Sequence, residues 1–179
     1  MSSSPSPGDE RPHLALVGLS GTGKSSVTPL LAARRGLLAV DLDERIERRA
    51  GRSVPELFAE RGEPAFRSLE SVELADALAG PPSVIATGGG VVVDAANRTM
   101  LRDRCEVVWL RTALTTLVER LRASEQERPL LAGDAETTLR RLAEEREALY
   151  MEVATHVIDT DGRSPNDVVR DIEAVLRHG

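Results

Sequence analysis

A glycine-rich segment that ends in a lysine and a serine carries the clearest chemistry in this sequence. Residues 18–25 read G-L-S-G-T-G-K-S and match the pattern G-x-x-x-x-G-K-[ST] at every fixed position. In this pattern backbone N–H groups curl around phosphate groups, the lysine reaches the β- and γ-phosphates, and the serine hydroxyl ligates Mg²⁺. The nucleotide contacts that we expect are Gly21, Thr22, Gly23, Lys24, Ser25 and Ser26.

The loop alone does not separate a kinase from a GTPase or a motor ATPase. Lys24 is the only lysine among the 23 lysine and arginine residues of the chain. The guanine-reading motif N-K-x-D of GTPases therefore cannot occur. The simple alternative is a glycine-rich turn with an accidental Lys-Ser pair, and the strand before the loop and the helix after it argue against that alternative.

Two carboxylates follow the second predicted strand, where Asp41 and Asp43 flank Leu42. The carboxyl ends of the strands form the ligand side of such sheets. We expect Asp41 to lie near Mg²⁺ while Asp43 orients an acceptor hydroxyl. Either aspartate alone could instead cap a helix that starts near Glu44, but capping does not need both.

Three consecutive glycines, Gly88, Gly89 and Gly90, directly follow the third predicted strand. Such a run loses much chain entropy on folding, and the close approach of a ligand or of backbone explains it best. A loose surface turn is the alternative. The position at the end of a strand favours a ligand contact.

Composition and charge exclude several classes of protein. The chain has 41% hydrophobic and 29% charged residues and a formal net charge of −6, so we expect a soluble protein that binds no nucleic acid. No apolar run approaches the roughly 18 residues of a membrane span. Residues 1–12 lack an apolar stretch and are expected to be a disordered tail. Cys105, the lone cysteine, is expected to be a buried, reduced thiol in the cytoplasm.

Short apolar runs alternate with helical stretches, which predicts a three-layer α/β/α fold around a five-stranded parallel sheet. Residues 13–179 are expected to form one domain. Predicted strands are Leu14 to Val17, Leu37 to Val40, Ser83 to Ala86, Val107 to Leu110 and His156 to Ile158.

Helix signals lie between these strands. One helix is predicted from Lys24 to Arg35, with Gly36 as its stop and Pro29 as a possible kink. Ser53 to Glu56 has the spacing of a capping box, and Ser164 begins the last helix with Pro165 and Asp167 in its first turn. Gly62 and Pro64 mark the end of one helix and the start of the next.

Two stretches exceed what a simple crossover needs. Residues 41–80 are long and helical, and we expect them to form a substrate-binding flap. Residues 122–134 are polar and contain Arg128, Pro129 and Gly133, so a mobile lid loop between two helices is expected there.

Taken together, these motifs resemble those of the shikimate kinases from Leu14 to Leu176. Beyond the phosphate-binding loop, the motifs that carry the resemblance are Asp41-Leu42-Asp43, Gly62-Glu63, Phe66-Arg67 with Glu70, Gly88 to Gly90, Arg128-Pro129-Leu130-Leu131, and Arg146 with Tyr150. The departures, Ser26, Leu42 and Pro29, remove no catalytic group.

The resemblance implies the substrate contacts. Asp43 and the glycine run would hold the hydroxyls of shikimate, while Arg67 and Arg146 would bind its carboxylate, as a planar guanidinium matches a carboxylate in two parallel bonds. Phe58 and Phe66 would line one side of the shikimate ring, although phenylalanine is more often a residue of the hydrophobic core.

For the nucleotide, the resemblance places Arg128 in the lid on the ATP phosphates and Arg120 and Arg163 near adenine. Lys24, Asp43 and Arg128 would be the catalytic residues, and Ser25 and Asp41 would serve Mg²⁺. The implied reaction moves the γ-phosphoryl group of ATP to the 3-hydroxyl of shikimate, giving 3-phosphoshikimate and ADP.

The alternative functions are another small-molecule kinase, such as a gluconate or nucleoside-monophosphate kinase, or a non-catalytic ATP-binding regulatory module. A monomer without a membrane partner is expected.

Overall fold

The computed structural model describes residues 13–125 and 132–177. Its strands are β1 (His13–Val17), β2 (Leu38–Asp41), β3 (Ser83–Ala86), β4 (Cys105–Arg111) and β5 (His156–Asp159). They form one sheet in the order β2-β3-β1-β4-β5, and every neighbouring pair is parallel. The predicted five-stranded parallel sheet is therefore confirmed.

Helices connect these strands. They are α1 (Lys24–Arg35), α2 (Leu42–Ala50), α3 (Val54–Ala79), α4 (Ala95–Arg104), α5 (Leu114–Glu125), α6 (Ala132–Val153) and α7 (Pro165–Leu176), with a 3-10 turn at Val91–Val93. Both predicted capping boxes form, at Ser53 with Glu56 and at Ser164 with Asp167. Helix α1 has the predicted bounds, ends at a left-handed Gly36 and contains Pro29.

The hydrophobic core lies on both faces of the sheet. On one face Leu16 and Val108 pack with Leu31 of α1 and Ile172 of α7. On the other face the core contains residues of α3, α4 and α6, among them Leu74, Leu101 and Tyr150. Every residue of β1 is buried, as expected for a central strand that helices cover on both sides. The result is the predicted three-layer α/β/α arrangement.

The range predicted as the flap, residues 41–80, consists of α2 and α3. Helix α3 is interrupted at Gly62, whose φ of 75° and ψ of 171° break the helical geometry, so the predicted helix end and restart are present there. A third apolar cluster joins α2 to the first half of α3 through Ile46, Leu57 and Phe66. This cluster lets the region pack on itself beside the main core.

Several predicted boundaries were wrong. Both ends of the predicted lid range 122–134 are helical, since α5 continues through Glu125 and α6 begins at Ala132, and the part of the lid between them, residues 126–131, lies outside the described residues. Strand β4 is longer than predicted at both ends, and α2 begins at Leu42 rather than near Glu44.

In the described ranges 13–125 and 132–177, no helix has both the length and the apolar character needed to span a membrane.

Candidate active site

The phosphate-binding loop connects β1 to α1 in a conformation that needs glycine. Gly21 and Gly23 have φ values of 85° and 98°, in the region that disfavours other residues. At Gly18 a Cβ atom would lie 2.5 Å from the carbonyl oxygen of Leu110 on β4. The loop therefore packs tightly against the sheet, and the N-terminus of α1 points its free N–H groups toward the space above.

Lys24 lies inside this loop with only 8% of its surface exposed. Its Nζ donates to the carbonyl oxygens of Gly18 at 2.7 Å and Leu19 at 2.8 Å. An ammonium group has three donors, so one remains for a phosphate oxygen. Burial lowers the pKa of Lys24 to about 8, although Asp43 and Asp41 oppose the shift.

Ser25 and Asp41 meet across the sheet edge. The Ser25 hydroxyl donates to Asp41 Oδ2 at 2.6 Å, and Asp41 Oδ1 accepts from the backbone N–H groups of Asp43 and Glu44. Asp41 thus caps α2, which is the alternative weighed above, and also lies beside the loop serine. A hydroxyl and a carboxylate oxygen at this spacing fit Mg²⁺, which prefers oxygen ligands and takes few of them from protein in nucleotide complexes.

Asp43 lies in the first turn of α2 and faces the loop. Burial, and after it the charge of Asp41, raise the pKa of Asp43 above its ordinary value, while Lys24 lowers it. Within the described residues its Oδ1 has no hydrogen-bond partner. Asp43 therefore presents a free acceptor oxygen between the phosphate-binding loop and α3. The intervening Leu42 is fully buried in the core, away from this space, as expected.

The three glycines after β3 are explained chiefly by neighbouring protein groups. A Cβ atom on Gly88 would lie 2.3 Å from Glu70 Oε1, and one on Gly90 would lie 2.2 Å from the Arg67 guanidinium. At Gly89 the nearest atom would be the backbone nitrogen of Ser20, at 3.2 Å. The sequence predicted a close approach of backbone to this run, but it did not predict the contacts with the side chains of Glu70 and Arg67.

Arg67 and Arg146 come together around one buried carboxylate. Arg67 Nη1 donates to Glu70 Oε2 at 2.7 Å, and Glu70 is fully buried. Arg146 is also buried, and its charge acts on Glu70, Lys24 and Tyr150. Burial raises the pKa of Glu70 against the effect of Arg67. Arg67 from α3 and Arg146 from α6 therefore both act on the same buried carboxylate.

The two phenylalanines of the chain contact each other, with ring centroids 4.5 Å apart. Phe66 is 4% exposed and belongs to the apolar cluster of Ile46, Leu57 and Phe66, and Phe58 packs against that cluster. The Arg67 guanidinium lies 6.0 Å from the Phe58 ring centroid and 5.4 Å from that of Phe66. Both rings thus support Arg67, and Phe66 has the core position that was the alternative for it.

A cleft of about 470 Å³ adjoins the phosphate-binding loop, and we call it the active-site cleft. Arg120 lines it and donates to the carbonyl oxygen of Gly21 at 2.7 Å. Arg163 lines it from the loop after β5 and pairs with Asp171. Arg128 lies outside the described residues. Other residues that line the active-site cleft are Ser20 to Val27, Asp43, Thr87, Gly89, Thr160, Pro165 and Val168.

Sequence reasoning gave no role to Glu70, Tyr150 or Thr87. Glu70 follows Arg67 by three residues, a spacing that brings side chains together on a helix and could have indicated their ion pair. The Tyr150 hydroxyl donates to the Gly89 carbonyl oxygen, and the Thr87 hydroxyl donates to the Leu16 carbonyl oxygen. No sequence signal indicates these two contacts, because they join elements distant along the chain.

Comparison with known proteins gives one consistent result. The family model described as shikimate kinase matches residues 20–177. A shikimate kinase of Pseudomonas entomophila is 44% identical over 161 residues, covering 89% of this chain and 93% of that protein. One of Symbiobacterium thermophilum is 45% identical over 167 residues, covering 92% and 96%.

Solved structures agree. The shikimate kinase of Acinetobacter baumannii in complex with shikimate superposes with a TM-score of 0.87 at 34% identity, over 93% of each chain. A gluconokinase of Sinorhizobium meliloti has a TM-score of 0.63 at 19% identity and so shares the fold alone. The resemblance found in the sequence is confirmed: the chain belongs to the shikimate kinase family.

Proposed function

We propose that the residues at the carboxyl edge of the sheet carry out the kinase reaction of this chain. As a member of its family, the chain transfers the γ-phosphoryl group of ATP to the 3-hydroxyl of shikimate and releases 3-phosphoshikimate and ADP. The observation that supports the residue assignment most directly is the position of Asp43. It lines the active-site cleft with Lys24, and the charges of Lys24 and Arg67 both act on it.

On the nucleotide side, the phosphate-binding loop holds the phosphates through its backbone N–H groups and Lys24. Mg²⁺ bound here would supply positive charge to the phosphates. The residues that would hold it are Ser25, directly, and Asp41, whose carboxylate lies 2.6 Å from the serine hydroxyl. Arg120 and Arg163 also line the active-site cleft, and we assign them to the neighbourhood of adenine. The assignment of Arg128 to the transferring phosphate remains a prediction.

On the acceptor side, Asp43 orients the shikimate hydroxyl that attacks the γ-phosphorus atom. Its unpartnered Oδ1 accepts the hydroxyl hydrogen bond, and its raised pKa makes it a better proton acceptor than an ordinary aspartate. Most of the rate enhancement in phosphoryl transfer comes from positioning and charge stabilisation. Asp43 is therefore assigned first as a positioning group and second as a base.

The shikimate carboxylate binds between Arg67 and Arg146. Both guanidinium groups lie near Glu70, which holds Arg67 in place through a 2.7 Å ion pair. The Arg67 guanidinium lies over the rings of Phe58 and Phe66, and we assign the apolar side of the shikimate site to these rings. Gly88 lies against Glu70 and Gly90 against Arg67, and this proximity supports assigning the substrate hydroxyls to the run Gly88 to Gly90.

Family membership decides among the alternatives left open by the sequence. A gluconate kinase shares only the fold, and a non-catalytic module would not need an acceptor carboxylate beside two substrate arginines. We further propose that the chain acts as a cytoplasmic monomer in which residues 41–80 serve as the flap. The buried, free Cys105 fits a reducing compartment.

The decisive experiment follows ADP release in a coupled assay with shikimate and with gluconate as acceptors. Shikimate should stimulate turnover by orders of magnitude, and an equal rate without it would overturn the assignment. An Arg67→Ala variant should lose shikimate affinity while its affinity for MgADP stays within about twofold, because the guanidinium lies outside the nucleotide contacts. An Arg45→Ala variant on α2 is the matched control, and it should keep both affinities.

A further inference from the structure

A second cavity adjoins the phosphate-binding loop at Leu19 and Thr22. It has a volume of about 360 Å³, within the range of small-molecule sites. Its walls come from the end of β4, the start of α5, the second half of α6 and the turn after β5. We call it the Trp109 cavity. None of the residues assigned above to shikimate, ATP or Mg²⁺ lines it except Thr22.

The apolar part of this lining is rigid and aromatic. Leu19, Leu114 and Ala143 line the cavity together with Trp109, whose ring centroid lies 5.7 Å from that of Tyr150. The Arg111 guanidinium lies 5.8 Å from the Trp109 ring centroid. Because Trp109 is fixed by these contacts and only 5% exposed, the wall is preformed. A preformed apolar wall suits a small flat ligand and loses little entropy when it binds one.

The polar part of the lining is acidic. Among the described residues of the Trp109 cavity, three carboxylates, Glu147, Asp159 and Asp161, stand against the single guanidinium of Arg111. Asp159 is bound to Arg111 at 2.6 and 3.0 Å, and Asp161 accepts from the N–H group of Ala113. Glu147 is exposed and its charge acts on Arg111. The excess negative charge at the rim favours a cation.

We propose that the Trp109 cavity binds a small aromatic amine, with its ring against Leu114, Ala143 and Trp109 and its ammonium group beside Glu147. The site is separate from the active-site cleft and does not rest on the assignments made there. Its ligand class follows from an apolar wall of fixed shape and from carboxylates at the edge of that wall that outnumber the one guanidinium there.

The chain supplies its own reporter, because Trp109 is its only tryptophan. The full-length protein would be titrated with phenethylamine and with the neutral isostere 2-phenylethanol, and Trp109 emission would be excited where neither probe absorbs. Phenethylamine should give a saturable change in emission. Its affinity should exceed that of the alcohol by about fivefold, the size of a partly exposed ion pair.

Two variants locate the effect. Glu147→Gln should remove the preference for the amine, while Glu144→Gln, an exposed neighbour on α6, should preserve it. Ala143→Phe should fill the cavity and abolish binding of both probes, with MgADP affinity measured in parallel to show that the variant is folded. If Ala143→Phe does not fold, the exposed Glu147→Gln change still decides. The proposal is overturned by an emission that never saturates, by equal affinity for the two probes, or by an amine preference that survives in Glu147→Gln.

Discussion

The Ser25 hydroxyl donates a 2.6 Å hydrogen bond to Asp41 Oδ2, while the other oxygen of Asp41 caps helix α2. One carboxylate thus joins the phosphate-binding loop to the helix that carries Asp43. The positions of the nucleotide-binding and acceptor-orienting residues therefore depend on each other. This relationship makes the charge and the hydrogen-bonding capacity of Asp41 separable by mutation.

Asp41→Asn should keep the helix cap and lose the charge. We expect stability close to that of the wild type and a higher Mg²⁺ concentration for half-maximal activity, because the metal-facing oxygen is no longer anionic. Asp41→Ala should show the same Mg²⁺ effect and also lose about 1 kcal/mol of stability, the usual contribution of an N-cap. Thermal unfolding and Mg²⁺ titrations of activity measure the two effects. Equal stability of the two variants would show that the cap contributes little.

Nucleotide affinity should fall as the pH rises above about 8. The pKa of Lys24 is lowered to about 8, so the buried ammonium group loses its proton in this range and with it the charge that attracts phosphate. Well above this pKa the Kd for MgADP should rise about tenfold per pH unit, since one proton is lost. Calorimetry across the range measures it. Lys24→Arg keeps its charge and should show a flat profile; a wild-type profile that is equally flat contradicts the assignment.

Asp43→Asn should abolish turnover and stabilise the fold. The change removes a half-buried carboxylate whose Oδ1 is unpartnered among the described residues, so we expect a gain of about 1 kcal/mol. Because burial raises the pKa of Asp43, the native wild type binds its proton more tightly than the unfolded chain does. Wild-type stability therefore rises as the pH falls through that pKa. The difference in stability between Asp43→Asn and the wild type should shrink accordingly. Denaturation at several pH values checks the sign, and an advantage that grows at low pH would contradict it.

Gly90→Ala should weaken shikimate binding without affecting the nucleotide. Its φ of −102° suits alanine, so backbone strain is not the reason. A Cβ atom there would lie 2.2 Å from the Arg67 guanidinium, which would have to move away from its position beside Glu70. The KM for shikimate should rise about tenfold or more while the Kd for MgADP is unchanged. Gly80→Ala, remote from the active-site cleft, is the control, and an unchanged KM in Gly90→Ala would dissociate Arg67 from substrate binding.

The sequence could predict those features that local chemistry determines. The loop glycines, the stop at Gly36 and the capping boxes at Ser53 and Ser164 depend on neighbours within a few residues. The sheet was predictable because its buried strands are short apolar runs. The first residues of the predicted lid range are helical for a local reason too, since Arg122 and Ala123 favour helix and α5 continues through them.

Contacts between distant positions could not be predicted from the sequence. The double role of Asp41 depends on where the loop serine comes to lie, 16 residues earlier in the chain. The need for glycine at position 90 depends on the Arg67 side chain, which reaches it from another helix. Local patterns indicate which residue types are present at a site, but tertiary packing decides which atoms meet.

The single lysine has a practical consequence for labelling. An acylating reagent has one side-chain amine to modify in this chain, and that amine lies at the base of the active-site cleft with two of its hydrogens donated to the loop. Apart from acylation of the α-amino group, the extent of acylation measured by intact-mass spectrometry would report the fraction of molecules in which no nucleotide covers Lys24. A nucleotide that covers Lys24 would prevent acylation of its side chain, so the mass of each molecule would record whether its phosphate site was occupied.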